Sequence, residues 1–197
     1  QAWIIEDDYD GDFHYHGEPV MAMQGMTENA PVIYLGSFSK TLFPALRIGF
    51  MVLPAPLVSR LRPALHQILR GGHRLAQQAL TRFILNGEYR RHLGKMRRLY
   101  RQRQALLRTG LQRAAGQAIS LLGGNSGMHL VLPLEPHRDD VAITRKLHQA
   151  GYAPGALSTF YLTEPVQQGL VIGYGNCRDT QITAATGQLS RLLGWPG

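Results

Sequence analysis

Three short apolar segments near the start of the chain constrain its fold more than any other feature. They are Trp3–Glu6, Val32–Gly36 and Ile48–Leu53, and each is bounded by Gly, Pro or Ser. Short apolar runs between such residues are typical of buried strands. Two segments with helical periodicity follow, Leu57–Arg70 and His73–Leu85. The first part of the chain is therefore predicted to be an α/β unit with a sheet and covering helices.

The second half of the chain has a different pattern of predicted elements. One long basic helix is predicted for Glu88–Ala115, with a domain boundary near its start. The segments after it are predicted to form three strands and two helices: Ser120–Leu122, Met128–Pro133, Gly169–Tyr174, Asp140–Ala150 and Asp179–Leu193. Asp139 or Asp140 is expected to cap the first of these two helices. The sequence thus predicts a domain over residues 1–88 and a smaller α+β domain over residues 89–197.

Composition excludes several classes of protein. The chain has 197 residues, of which 44% are hydrophobic, and this suits one large domain or two small ones. Cys177 is the single cysteine, so no internal disulfide can form. No run reaches the roughly 18 apolar residues that a membrane helix needs. We therefore expect a protein of the reducing cytoplasm that does not enter a membrane.

The net charge of +8 has two explanations. Basic residues cluster between Arg82 and Arg113, which is typical of a surface that binds nucleic acid or another anion. The same pattern fits a solvated helix whose apolar side packs inward. The apolar residues that largely keep helical spacing are Leu93, Met96, Leu99, Leu106, Leu107 and Leu111. We expect the second explanation, and the first remains an alternative.

Acidic residues are concentrated between Glu6 and Asp12 in an otherwise basic chain. Asp8, Asp10 and Asp12 alternate as in the calcium loop of an EF-hand. That loop needs Gly at its sixth position and Glu at its twelfth, and this chain has Phe and Pro there. A calcium loop is therefore not predicted. Apart from Asp7, we expect these acids to cap the loop and make structural contacts.

Two other patterns fail the requirements of the sites they suggest. His14 and His16 alternate, but no Cys or third His lies nearby in the sequence, so no metal site is predicted. The segment Gly36–Thr41 looks like half a P-loop. That motif needs Gly at the positions that Ser39 and Tyr34 occupy here, so a nucleoside triphosphatase is not predicted.

One group of residues carries chemistry at the ends of the predicted strands. Asp7 and Tyr9 lie at the carboxyl end of the first strand, two residues apart, so their side chains project to the same side. Ser37, Lys40 and Arg47 follow the second strand. In open α/β sheets, ligands bind beyond the carboxyl ends of the strands. The sequence therefore predicts an acid, a phenol, a hydroxyl, an amine and a guanidinium group at one place.

This set resembles the pyridoxal phosphate site of fold-type I aminotransferases, which carry Asp-x-Tyr after a strand, then Ser-x-x-Lys and an Arg seven residues on. Longer segments are similar to the aminotransferase-like domain of MocR/GabR-type bacterial transcription regulators of the GntR family: EDDYDGDFHY, PVIYLGSFSKTLFPALRIGFMVLP, GEYRRHLGKMRRLYRQRQALL and SGMHLVLPL. The resemblance runs from Trp3 to Leu193. It implies an α/β fold: the C-terminal part of a fold-type I large domain over residues 1–88, then the small domain.

The resemblance implies a role for three residues that face the cofactor ring. Lys40 would be the catalytic residue and bond to the cofactor aldehyde, which requires its amine in the neutral form. Asp7 would pair with the pyridine nitrogen and keep it protonated, because a protonated ring accepts electrons. Tyr9 would donate a hydrogen bond to the phenolate oxygen of the cofactor.

The resemblance also implies how the cofactor phosphate is held. Ser37 would donate its hydroxyl, and Arg47 would add a charge-assisted pair of hydrogen bonds. Ser39 would supply a further hydroxyl. The partners implied are a small amine or the cofactor itself as effector, a second copy of the chain, and DNA through a domain outside these residues.

Two departures from the family affect these expectations. The family's large domain has an earlier half, with a phosphate-binding turn and an aromatic ring that stacks on the pyridine, and a DNA-binding winged helix precedes it. The chain therefore looks like the C-terminal portion of a longer protein, and alone we expect it to bind the cofactor weakly or not at all. Val171 stands where the family has an Arg that binds the substrate carboxylate, and Arg178 follows that strand.

The sequence therefore predicts the effector-sensing, aminotransferase-like domain of a transcription regulator. A genuine class I/II aminotransferase is the alternative, and Val171 leaves transamination in doubt. A nucleic-acid binder that uses the basic helix is the third class considered.

Overall fold

The computed structural model describes residues 2–18, 20–70, 72–116 and 119–195. The chain forms two compact units, which divide between Met96 and Arg97. This division lies within the long helix Glu88–Ala115, so that helix contributes residues to both units. The domain boundary after residue 88 stays a prediction.

The first unit contains a three-stranded sheet of order β1-β2-β3. The strands are β1 (Ile4–Asp8), β2 (Val32–Ser37) and β3 (Gly49–Val52). β1 and β2 are parallel, and β2 and β3 are antiparallel. Short 3₁₀ turns occupy Met23–Gly25 and Pro44–Leu46. The parallel pair matters for function because it puts the carboxyl ends of β1 and β2 at the same edge of the sheet.

The prediction that the first strand is buried is wrong. Ile4 is 45% exposed and Ile5 is 66% exposed. Phe50 on β3 is also exposed, at 47%. An apolar composition predicts that a segment forms a strand, but its burial depends on which elements cover it. Within the described residues these side chains are not fully covered.

Three helices follow the first sheet: α1 (Ala55–Leu69), α2 (Arg74–Leu85) and α3 (Glu88–Ala115). The predicted bounds of α3 are confirmed. Three residues of its predicted apolar side are buried, with exposures of 9% for Leu93, 3% for Leu107 and 0% for Leu111, and the other three, Met96, Leu99 and Leu106, are half-buried. None of the helices in the described part of the chain is both long and apolar enough to cross a membrane.

The second unit contains the sheet β4-β6-β5, in which both pairs are antiparallel. Its elements are β4 (His129–Pro133), α4 (Asp140–Gln149), β5 (Gly155–Ala156), β6 (Gly169–Gly173) and α5 (Asp179–Leu193). The predicted strand Ser120–Leu122 is wrong, since only an isolated bridge joins Leu122 to Val131. β5 was not predicted, because two residues are too few to show a strand period.

The start of α4 confirms the predicted cap and adds a buried carboxylate. Asp139 is the N-cap, and its Oδ1 accepts from the backbone N–H of Ala142 at 2.9 Å. Asp140 is 0% exposed and accepts from Ser158 N–H at 2.9 Å, from the Ser158 hydroxyl at 2.6 Å and from Gly169 N–H at 2.9 Å. Burial alone would raise the pKa of Asp140, but these hydrogen bonds outweigh it and lower the pKa. The carboxylate therefore joins the start of α4 to the start of β6.

Candidate functional site

Two parallel strands bring the predicted acid and one predicted hydroxyl to the same edge of the first sheet. Asp7 on β1 is the partner of Leu35 on β2, and Ser37 is the last residue of β2. Side chains alternate along each strand, so Asp7, Leu35 and Ser37 project from the same face. Asp8 and Tyr34 project from the other face, where the Tyr34 hydroxyl donates to Asp8 Oδ2 at 2.7 Å.

Lys40 and Tyr9 lie side by side, although 31 positions separate them in the sequence. Lys40 Nζ lies 5.9 Å from the centroid of the Tyr9 ring, which is within cation–π range. Tyr9 is 48% exposed. The structure thus brings the predicted amine and the predicted phenol together at the edge where Asp7 lies.

Acidic neighbours keep the Tyr9 hydroxyl protonated. The charge of Asp10 has the largest effect in raising the pKa of Tyr9 above its ordinary value, followed by partial burial and the charge of Asp7. At neutral pH the phenol is therefore a hydrogen-bond donor, and the role implied for it requires a donor.

The other acids near Asp7 are used within the protein. Glu6 accepts from the backbone N–H groups of Met23 at 2.9 Å and Gln24 at 3.1 Å. Asp8 Oδ1 accepts from the N–H of Gly11 at 2.9 Å, in addition to the bond from Tyr34 to its other oxygen. The expected structural role is therefore confirmed for Glu6 and Asp8. Asp7 is exposed and, in the described part of the chain, accepts no hydrogen bond, so its carboxylate remains available to a group from outside.

The loop that carries Lys40 is fixed by residues that the sequence analysis missed. Thr41 is 2% exposed, and its hydroxyl donates to the carbonyl oxygen of Phe38 at 3.4 Å. That hydroxyl also accepts from the hydroxyl of Tyr89 at 3.1 Å. His92 Nε2 lies 2.7 Å from the Thr41 carbonyl oxygen. The first turns of α3 therefore hold the residue next to Lys40, and a hydroxyl residue directly after the lysine was the sequence signal for this contact.

Of the three residues predicted to hold phosphate, Ser37 and Ser39 are joined by a hydrogen bond and Arg47 lies further along the loop. Ser37 Oγ accepts from the backbone N–H of Ser39 at 3.1 Å. Arg47 follows the Pro44–Leu46 turn with φ of 52°, in the left-handed region that non-glycine residues seldom adopt. Across the described ranges, no hydrogen bond or ion pair links Ser37, Lys40 and Arg47 to one another. The Ser37 hydroxyl accepts from Ser39 and still has its own hydrogen to donate.

Val171 lies at the centre of the second sheet. It is half-buried on β6, opposite Val131 of β4 and Gly155 of β5. Gly169 and Gly173 lie on the same face of β6, so that face of the strand offers only an isopropyl group. Arg178 is the N-cap of α5 and lies beyond the end of β6, so it does not occupy this face of the strand.

Metal chemistry has no support in the described residues. Within the ranges that the structure describes, no group of three or more His, Cys, Asp or Glu side chains is arranged to hold a metal ion. The first unit instead presents lysine, phenol and guanidinium groups, which donate hydrogen bonds, and a carboxylate, which accepts them.

Solved structures show the same fold. The chain superimposes with a TM-score of 0.85 on the kynurenine aminotransferase of Pyrococcus horikoshii, with 22% identity over 98% of this chain and 48% of that one. It matches LysN, the α-aminoadipate aminotransferase of Thermus thermophilus, with a TM-score of 0.85 and 22% identity over 98% of this chain and 50% of that one. Those two structures contain PMP and N-(5'-phosphopyridoxyl)-L-leucine respectively. The predicted fold class is confirmed.

Relatives at higher identity are transcriptional regulators. The chain is 35% identical to the HTH-type transcriptional regulator YdeL of Bacillus subtilis, over 92% of this chain and 39% of YdeL. It is 38% identical to the probable rhizopine catabolism regulatory protein MocR of Rhizobium meliloti, over 88% of this chain and 35% of MocR. The pyridoxine biosynthesis regulator PdxR of Corynebacterium glutamicum is 29% identical over 89% of this chain and 38% of PdxR. The chain thus spans less than half the length of the curated relatives it matches.

The predicted resemblance to MocR-type regulators is confirmed by these relatives. The sequence profile of the family described as Aminotransferase class I and II matches residues 2–185. This match covers nearly the whole chain, which therefore belongs to the aminotransferase class I and II family and resembles, within it, the aminotransferase-like domains of MocR-type regulators.

Proposed function

We propose that this chain is the pyridoxal phosphate-binding, effector-sensing domain of a MocR-type transcription regulator. The observation that carries the proposal is the position of Lys40 Nζ, 5.9 Å from the Tyr9 ring. Both side chains lie at the strand edge where the Asp7 carboxylate has no partner among the described residues. A lysine beside a protonated phenol and an available carboxylate suits a cofactor with an aldehyde, a phenolic oxygen and a ring nitrogen.

The donor set matches pyridoxal phosphate group by group. Asp7 would bind the protonated ring nitrogen, Tyr9 would donate to the phenolic oxygen, and Lys40 would hold the aldehyde carbon covalently. Ser37 and Arg47 would bind the phosphate, with Ser39 beside them. When bound, the cofactor supplies an electron-accepting ring for chemistry at an amine. The protein's part is to orient that ring and to keep the Tyr9 proton in place.

The second sheet supports a sensor more than a transaminase. A carboxylate that enters a site out of water needs a paired cation, because an unpaired buried charge costs several kcal/mol. At Val171 the chain offers an isopropyl group between two glycines of the same face. We therefore propose that the effector is the cofactor itself, or an amine held by other residues, and that ordinary α-amino acids are poor ligands.

The relatives support the proposed setting of this domain. YdeL, MocR and PdxR are transcriptional regulators, and this chain covers between 35% and 39% of each. We propose that the intact protein carries a DNA-binding domain and the first half of the cofactor domain, acts as a homodimer and works in the cytoplasm. Binding of the effector would then shift the dimer between two arrangements that differ in their affinity for DNA.

Lysine labelling tests this proposal, and the lysines that this chain contributes to the intact protein are Lys40, Lys95 and Lys146. The intact protein is incubated with pyridoxal phosphate and reduced with borohydride, and its peptides are mapped by mass spectrometry. We expect the cofactor on Lys40. Lys40→Ala should abolish the visible absorbance band of the bound cofactor, while Lys95→Ala and Lys146→Ala, both at exposed positions, should retain it. Labelling at Lys95 or Lys146 that survives in Lys40→Ala would contradict the site.

The 197-residue chain and the intact protein should differ in this assay. We expect weak or no binding to the chain alone and stoichiometric binding to the intact protein. Micromolar binding by the chain alone would mean that these residues suffice to hold the cofactor. Rapid conversion of the cofactor by a common α-amino acid would instead favour a genuine aminotransferase.

A further inference from the structure

All of the formal net charge of the chain lies in one helix. α3 carries nine Lys and Arg residues and one acid, Glu88, which gives +8. The whole chain carries 21 Lys and Arg and 13 Asp and Glu, which also gives +8. The remainder of the chain therefore has twelve residues of each sign and is neutral in sum.

Four exposed cations of α3, Arg91, Lys95, Arg98 and Arg113, lie along one side of the helix, with three neutral residues between Arg98 and Arg113. We define the basic face of α3 as seven exposed residues at successive intervals of three or four: Arg91, Lys95, Arg98, Gln102, Ala105, Thr109 and Arg113. Such intervals place side chains on one side of a helix. Glu88 pairs with Arg91 and so partly neutralises one cation of this face, and Asp179 accepts from Gln102 Nε2 at 3.0 Å. The face itself contains no acid.

The composition of this face indicates what it can bind. A membrane-binding basic helix needs an apolar side that is free to enter lipid. On α3 that side is buried in the protein through Leu107 and Leu111. The centre of a protein interface usually holds Trp, Tyr or Arg side chains. Between Arg98 and Arg113 the basic face has only Gln, Ala and Thr.

We propose that the basic face of α3 binds the phosphate backbone of double-stranded DNA without reading its sequence. Phosphates need only Lys, Arg and small polar donors, and they carry no sequence information. At 1.5 Å per residue, the 28 residues of α3 span about 42 Å, slightly more than one turn of B-DNA. A role of this contact in gene regulation rests on the proposed function. The binding of DNA phosphates itself depends only on the residues of α3. It differs from the expectation that DNA is bound only through another domain.

The test measures binding of this chain to a random-sequence DNA duplex by fluorescence anisotropy between about 50 and 200 mM salt, the range over which phosphate contacts are lost. We expect binding at low salt that weakens steeply as salt rises. Lys95→Gln with Arg98→Gln should reduce the slope of log affinity against log salt by about one unit per cation removed. Affinity at low salt should fall about tenfold.

A matched variant separates the basic face from net charge. Arg145→Gln with Lys146→Gln removes one Arg and one Lys from exposed positions of α4, where Asp139 and Asp140 lie at the start of the helix. We expect it to bind DNA nearly as the unaltered chain does. Circular dichroism of both variants confirms that they fold, since all four side chains are exposed.

Several results would overturn this proposal. An equal loss of DNA affinity in the two variants would show that binding responds to net charge alone. No binding to DNA at about 50 mM salt would show that the chain makes no such contact. Tighter binding to anionic phospholipid vesicles or to duplex RNA would identify a different partner. Failure of the lysine-labelling experiment leaves these outcomes unchanged, because the DNA measurement uses the chain without added cofactor.

Discussion

The hydroxyl of Tyr89 donates a hydrogen bond of 3.1 Å to Oγ1 of Thr41, the residue directly after Lys40. Thr41 is almost fully buried, and its hydroxyl in turn donates a hydrogen bond to the Phe38 carbonyl oxygen. The rings of Phe38 and Tyr89 also meet edge to face, with centroids 5.7 Å apart. The lysine loop therefore has a polar and an aromatic contact with the first turn of α3.

Removing the Thr41 hydroxyl should loosen the lysine loop. Thr41→Val keeps the shape of the side chain but removes the hydroxyl that accepts from Tyr89 and donates to Phe38, and a typical hydrogen bond contributes about 0.5–1.5 kcal/mol. We expect a loss of that size in the free energy of unfolding, measured by urea denaturation, and weaker cofactor binding by the intact protein. Thr41→Ser keeps the hydroxyl and should lose less than half as much. Equal losses would mean that packing, and not the hydrogen bond, holds the loop.

The ionisation of Tyr9 should depend on Asp10. The charge of Asp10 has the largest effect in raising the pKa of Tyr9. Asp10→Asn should therefore move that pKa down toward its ordinary value of 10.0, because the phenolate would no longer face that negative charge. Titration of ¹³C-labelled tyrosine rings by NMR measures this, with Tyr9→Phe assigning the signal. Asp12→Asn is the control, and a shift as large as that of Asp10→Asn would contradict the assignment.

Asp140 should stabilise the second unit in a pH-dependent way. The pKa of Asp140 is lowered from its ordinary value of 3.8 in the folded state, so its contribution is present above that value and is lost as pH falls through the folded pKa. Asp140→Asn places an NH₂ group against N–H donors and should lower the free energy of unfolding by about 2 kcal/mol at neutral pH. The difference from the unaltered chain should shrink below about pH 4.

The neighbouring aspartate provides the control for that experiment. Asp139→Asn also removes a charge, but Asn caps a helix about as well as Asp does. We expect its free energy of unfolding to change by less than about 0.5 kcal/mol at neutral pH. A similar loss in the two variants would mean that charge at the start of α4, and not the bonds to Ser158 and Gly169, is what matters.

Val171→Arg should give the second sheet a side chain that can bind a carboxylate. The new side chain has to extend past Leu157 and His129, which cover Gly169 and Gly173, and its guanidinium group offers a carboxylate two parallel hydrogen bonds. We expect the intact protein with this substitution to convert the cofactor with α-amino acids at least about tenfold faster, measured by single-turnover absorbance. Val171→Leu, which adds bulk without charge, should give no gain. No gain in Val171→Arg would mean that the ligand carboxylate does not reach this strand.

The sequence predicted the fold where a pattern is local. The bounds of α3 and α5 follow directly from helical periodicity, and β2 and β6 from short apolar runs. β5 has only two residues and exists because β6 lies next to it, so no local pattern predicts it. Burial of the first strand was wrong for a related reason, since it depends on neighbouring elements and not on Ile4 and Ile5 themselves.

The same distinction between local patterns and distant contacts applies to the residues of the candidate site. Strand-end position and spacing indicated Asp7, Tyr9 and Lys40, and the structure places all three at one edge of the sheet. Thr41 and Tyr89 were missed because their hydrogen bond joins residues 48 positions apart, and propensity carries no information on such a contact. The roles of these residues toward a cofactor stay predictions until the lysine experiment is done.

The left-handed backbone at Arg47 sets two selective pressures against each other. Most side chains cost about 1 kcal/mol or more in this conformation, and glycine costs almost nothing. Mutagenesis selected for heat resistance alone should therefore drift toward glycine at this position. Only selection for anion binding would keep the guanidinium group. The identity of residue 47 in an evolved library would therefore show whether heat resistance or anion binding had been selected.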